Sequence, residues 1–159
     1  MKKTESATPV TYIHYGDQHF YRDRFNDPKN VPYLNKPRGG FWASRIDAQY
    51  GWKDWNKDEE YTTCDPSNAV KFTLSNARLL KIKSQEQLLE TFSLYGIKEQ
   101  FEYISHDKVL LDFEQLKEDY DAIEVLISAD NRLYWSLYGW DCDSILILNP
   151  DVIEEIQYD

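Results

Sequence analysis

The apolar positions of this chain fall in short runs, and the first of them, "VTYIHY" from Val10, has the β-branched and aromatic make-up of a strand. Residues 1 to 8 ahead of it are polar, carry nothing to bury, and are expected to fray. Behind it, "GDQHFYRDRFNDPKNVPYLNKPRGG" holds three prolines among Asn, Asp and Gly, which predicts a long loop. Such loops in compact domains often carry function. "FWAS" predicts a second strand, and its Ser44 is placed to cap a helix beginning "RIDAQYGWKDW", with Asp47 as a weak capping-box partner. Ala48, Trp52 and Trp55 would then share one helical face, with the tryptophans expected in the core and cleft lining as the minority reading.

"AVKFTL" and "ARLLKI" predict a hairpin or consecutive strands joined by a turn at Ser75-Asn76. Ser84 and Gln87 form a capping box for the helix "QEQLLETFSLYG", which Gly96 can end. A second amphipathic helix is expected from Asp112 to Asp119, followed by "AIEVLIS" as a buried strand. The last signal is "DSILILNP", a continuous apolar run closed by Pro150. Strands and helices in irregular order, without repeats, predict an α+β fold. At 159 residues the chain fits one domain, expected to cover residues 9 to 159.

Composition narrows the function. An aromatic fraction of 15% excludes a disordered chain, and the net charge of −10 disfavours direct binding to nucleic acid. Cys64 and Cys142 form no C-x-x-C pair and have no histidine at zinc spacing, so neither a metal site nor a disulfide framework is expected. No run of 18 apolar residues occurs, and no apolar stretch follows the opening lysines. The expectation is therefore a cytoplasmic protein with no membrane partner.

Candidate chemistry rests on "IHYG" at 13–16 and "GGFWAS" at 39–44, where glycines sit beside flat rings. Glycine lets backbone approach a ligand and an aromatic supplies a stacking face, although the same residues also suit a core and a turn. His19 and His106 lie in polar surroundings and read as solvated. "DWNKDEEY" reads as a solvated charge run, and "LYWSLYGW" as core, interface or cleft wall.

Taken in order, "IHYG", "GGFWAS", "YDAIEV" and "WDCDSILILNP" resemble the strands of the ADP-ribosyltransferase superfamily, in its histidine-type branch. The resemblance implies two small packed β-sheets with flanking helices around an NAD-type cleft. It implies NAD as substrate, held by His14, by the backbone at Tyr15 or Gly16, and by Gly40, Phe41 and Ser44, with Phe41 stacked on nicotinamide. Arg38 is a weaker candidate for the pyrophosphate. The catalytic carboxylate would be Asp143, with Asp141 as its rival and Glu124 ranked lower in its buried strand.

The implied reaction transfers ADP-ribose from NAD to a macromolecular acceptor, expected to be a protein, and releases nicotinamide without a metal. A carboxylate would stabilise the positive charge that builds on the ribose. The family usually has glutamate there. Aspartate withdraws the carboxylate by roughly 1.5 Å, and a misplacement of about 1 Å can cost on the order of 100-fold in rate. A non-catalytic acidic binding or inhibitor protein on the same scaffold is therefore a rival reading, and NAD hydrolysis to free ADP-ribose a third.

Overall fold

The computed structural model describes residues 9–97, 110–137 and 139–157. In chain order these form β1 (Tyr12–Tyr15), β2 (Phe41–Arg45), α1 (Trp52–Glu59), β3 (Ala69–Leu74), β4 (Leu79–Ile82), α2 (Gln85–Tyr95), α3 (Phe113–Asp119), β5 (Ala122–Val125), α4 (Asn131–Ser136), β6 (Ser144–Ile147) and β7 (Ile153–Glu155). The fold is α+β. The expected fraying of residues 1 to 8, and His106, lie outside the described residues.

The apolar run in β6 is continuous because the strand lies between two cores. Ile145 and Ile147 pack with Tyr12, Ala43, Phe72 and Val152, whereas Leu146 and Leu148 face the other way, toward Leu88, Phe113, Leu116 and Leu133 of the helices. Successive side chains of a strand point to opposite faces, so a strand covered on both sides loses its polar alternation. β5 follows the same rule, with all four residues buried.

The two small packed sheets of the expectation are in fact one seven-stranded mixed sheet, in the order β4-β5-β6-β2-β1-β3-β7. β1 and β2 join its two halves through only two residue pairs, Tyr12 with Arg45 and Ile13 with Ser44. That short seam is the physical reason the halves share one hydrogen-bonded ladder. "AVKFTL" and "ARLLKI" form the consecutive strands β3 and β4, and not a hairpin. β3 pairs with β1 and β7, while β4 pairs in parallel with β5 at the far edge.

α1 also differs from its expectation. Arg45 stays in β2, held by pairing with Tyr12 and by Glu124, and the helix starts only at Trp52. Gly51 is its N-cap, and the Gly51 N–H donates to the Asp54 carboxylate at 2.9 Å. Ser44 still serves the helix, because its Oγ accepts the Trp52 N–H at 3.0 Å. α2 and α3 begin as expected, with Ser84 accepting from the Gln87 N–H and Asp112 from the Gln115 N–H.

Candidate functional site

Beyond Ile13 and Ser44 the β1–β2 ladder ends, and the Trp42 carbonyl has no β1 backbone partner. His14 fills the gap, with Nδ1 2.6 Å from that carbonyl oxygen. A carbonyl only accepts, so Nδ1 carries the proton and Nε2 is left to face Asp17, 3.3 Å away. The imidazole is stacked on Phe41 with ring centroids 4.2 Å apart.

The parting of the strands opens a cavity of about 250 Å³ walled by His14, Tyr15, Lys36, Trp42, Trp52 and Asp141. Ser44, Trp140 and Cys142 line it as well. Three of its walls are indoles, Trp42, Trp52 and Trp140. Trp42 meets Trp140 edge to face at 4.7 Å, and the Lys36 ammonium lies 5.5 Å from the Trp42 ring. Burial pushes the Cys142 thiol up to about 11, which keeps it protonated at neutral pH and unsuited to nucleophilic attack. Burial also raises Tyr15, helped by Cys64 and Asp54. A second cavity of about 130 Å³ shares His14 and is lined by Asp17, Phe20, Arg24, Gly40 and Phe41.

Of the residues singled out in the sequence, His14, Tyr15 and Ser44 line the larger cavity. Gly40 and Phe41 line the smaller one. Gly16 ends β1 with φ +114°, donating its N–H to the Asn68 carbonyl, and lines neither. Arg38 is exposed and lines a separate depression with Lys29 and Asn30, away from both cavities. The two aspartates part company. Asp141 is in the larger cavity, whereas the Asp143 side chain is 2% exposed and turned into the protein.

The Asp143 carboxylate accepts the Ser128 N–H at 2.8 Å, the Ser128 hydroxyl at 2.6 Å and the Tyr50 N–H at 3.3 Å. Its main chain is held as firmly, because its N–H donates to the Tyr50 carbonyl and its carbonyl accepts from Ser44 Oγ at 2.7 Å. Asp143 therefore ties β2, β6 and the Tyr50 and Ser128 segments together beside the cavity. Glu124 is equally committed, forming a bidentate pair with Arg45 at 2.7 Å and 2.7 Å in the sheet.

Of the residues that line the larger cavity, Trp42 and Lys36 were not singled out in the sequence. Strand alternation held part of the answer: Phe41 and Trp42 must face opposite sides, so a cleft on Trp42's side takes the indole alone. Trp52 was expected in the core and is instead half-buried, stacked on Trp55 at 5.1 Å and open to the cavity. Lys36 sits in the long loop, where no periodicity marks a direction.

Among the described residues, no group of three or more His, Cys, Asp or Glu is arranged to hold a metal. No family model matches the chain, and no solved structure matches it. A relative named as an uncharacterized membrane protein, from Buchnera aphidicola subsp. Schizaphis graminum, is 32% identical over 105 residues, 66% of this chain. The match covers 25% of that protein, so the chain spans about a quarter of its relative's length. The relative's name overturns the cytoplasmic expectation, which rested on the lack of a long apolar run. Among the described residues, no helix is long and apolar enough to cross a membrane.

Proposed function

We propose that the cleft where β1 and β2 part binds NAD and transfers its ADP-ribose to a macromolecular acceptor, with release of nicotinamide. One observation carries the reading. Three of the four segments that resemble the ADP-ribosyltransferase superfamily, "IHYG", "GGFWAS" and "WDCDSILILNP", run along the adjacent strands β1, β2 and β6 and contribute to the cavity lined by His14. The two cavities that share His14 together fall in the lower part of the roughly 300–1,000 Å³ typical of ligand pockets.

The roles follow from the side chains available. Indole faces at Trp42 and Trp52 suit a flat heterocycle, and Lys36 is the cation of the larger cavity for a phosphate. Asp141 is the carboxylate of that cavity and is the group proposed to stabilise positive charge developing on the ribose. His14, fixed by Trp42, lines the cavity with Nε2 beside the Asp17 carboxylate, and a ligand hydroxyl would share that pair. Asp143 is assigned a positioning role, through Ser44 and Ser128. Incubation of the full chain with labelled NAD and a cell lysate tests the reading. Labelled acceptor that disappears with Asp141→Asn supports it, and no labelled product counts against it.

The commitment of Asp143 to the protein interior favours a second reading, a non-catalytic binding protein on this scaffold. NAD binding without any transfer, and without free ADP-ribose, would favour it. Free ADP-ribose in the absence of acceptor would mark NAD hydrolysis instead.

A further inference from the structure

Asp141 borders two depressions. On one side is the indole-walled cavity already described, and on the other a more open one lined by Tyr50, Trp55, Glu59 and Tyr134. Its remaining walls, Ile127, Ser128 and Asn131, are uncharged, so Glu59 and Asp141 are its charged groups and both are anionic. Three aromatic rings and two carboxylates around one hollow attract a cation through the ring faces and through Coulomb attraction together. Tyr50 keeps its proton, because burial and the Asp58 carboxylate it donates to at 2.8 Å push its hydroxyl up to about 12. Tyr50 therefore stays uncharged across the neutral range.

The rim says what carries the cation. Tyr134 is 39% exposed and meets Trp135, which is 78% exposed, edge to face at 5.2 Å on α4. An exposed indole beside a charged hollow is the composition of a protein interface, where tryptophan and tyrosine supply most of the contact energy. The overall charge of −10 attracts a basic partner from a distance as well.

We infer that this hollow receives a cationic side chain, arginine or lysine, of a partner protein docked on the α4 aromatic pair. The inference rests on the proposed transfer only for its chemical outcome. There the side-chain nitrogen loses a proton to Asp141 and gives its lone pair to the anomeric carbon of the ribose. The bond to nicotinamide breaks, and its electrons go to the pyridinium nitrogen. Asp141 is the group common to both depressions.

The test titrates the full chain with three glycine-flanked peptides, whose central residue is arginine, lysine or the uncharged isostere citrulline, while following the Trp55 indole N–H signal by NMR. The expected result is saturable movement with arginine or lysine, at least about fivefold weaker binding of citrulline, and a similar weakening in Glu59→Gln. The ratio of the two cationic peptides identifies the preferred group. Glu59 is exposed at the end of α1, so Glu59→Gln is expected to fold, and its thermal unfolding checks this. Equal binding of citrulline, or no movement with any peptide, overturns the inference. NAD titration of Glu59→Gln separates the two ideas: unchanged NAD binding with lost peptide binding upholds both. Peptide binding in a chain that never binds NAD upholds the cation site alone.

Discussion

His14 Nδ1 and the Trp42 carbonyl oxygen lie 2.6 Å apart, bridging the two central strands at the position where their backbone pairing stops. One imidazole thus closes the ladder and lines both cavities opened by its ending. The backbone contact fixes which ring nitrogen bears the proton, and so decides what the other nitrogen offers a ligand.

The two neighbouring aspartates should respond in opposite ways to the same substitution. Asp143→Asn disturbs three hydrogen bonds to a buried carboxylate and is expected to cost about 2–4 kcal/mol of stability by urea unfolding. Asp141→Asn is expected to leave the midpoint nearly unchanged while lowering ADP-ribosyl transfer by roughly 100-fold or more. The reverse pattern would return the catalytic role to Asp143.

Glu124→Ala leaves the Arg45 guanidinium without its buried partner in the sheet. Breaking such a pair costs about 3–5 kcal/mol, and Arg45 keeps some contact with water, so a loss near the lower end is expected. Chemical denaturation measures it; a change under about 1 kcal/mol would mean the pair is not structural.

Stability should fall with acid through Asp121. The Arg78 guanidinium, the Arg78 N–H and the Asn149 amide hold its carboxyl down to about 2, against about 3.9 for an unfolded aspartate. Because the folded value is the lower one, the contribution is complete above about pH 4 and disappears as pH falls toward the folded value. Wild type and Asp121→Asn, compared by urea unfolding from pH 5 to 2, should therefore converge at low pH. With Arg78 half exposed, the gap at pH 5 is expected to be no more than about 2 kcal/mol. A gap independent of pH would contradict the pairing.

Two glycines of the quoted motifs should differ on substitution by alanine. Gly40 has φ +70°, and an added Cβ would meet the Leu146 side chain at 2.5 Å, whereas Gly16, at φ +114°, would meet nothing within 4 Å. Gly16→Ala carries only backbone strain, about 1–2 kcal/mol, and Gly40→Ala about 1–3 kcal/mol more from the clash. Thermal unfolding of the two variants ranks them.

Most of the strands were legible because their apolar runs are short and sharply bounded, as in "AVKFTL" and "DSILILNP". Two helices were legible, α2 through the Ser84 cap, which acts within three residues, and α3 through its amphipathic pattern from Asp112. Pairing was not legible. Nothing local in "ARLLKI" says that Leu80 pairs with Ile123, and the adjoining turn reads the same whether or not a hairpin follows. Nor do α4 and β7 announce themselves, being six and three residues long. At the candidate site, motif order placed His14 and Ser44 beside one cavity, whereas the inward turn of Asp143 showed only in its contact with Ser128, fifteen residues away in sequence.

Calorimetric titration of NAD into the full chain tests the central claim most directly. Saturable binding, with a dissociation constant between about 1 μM and 1 mM, is expected in wild type and in Arg38→Ala and should be lost in His14→Ala. No heat of binding to wild type at several millimolar NAD, or binding unaltered by His14→Ala, would contradict it.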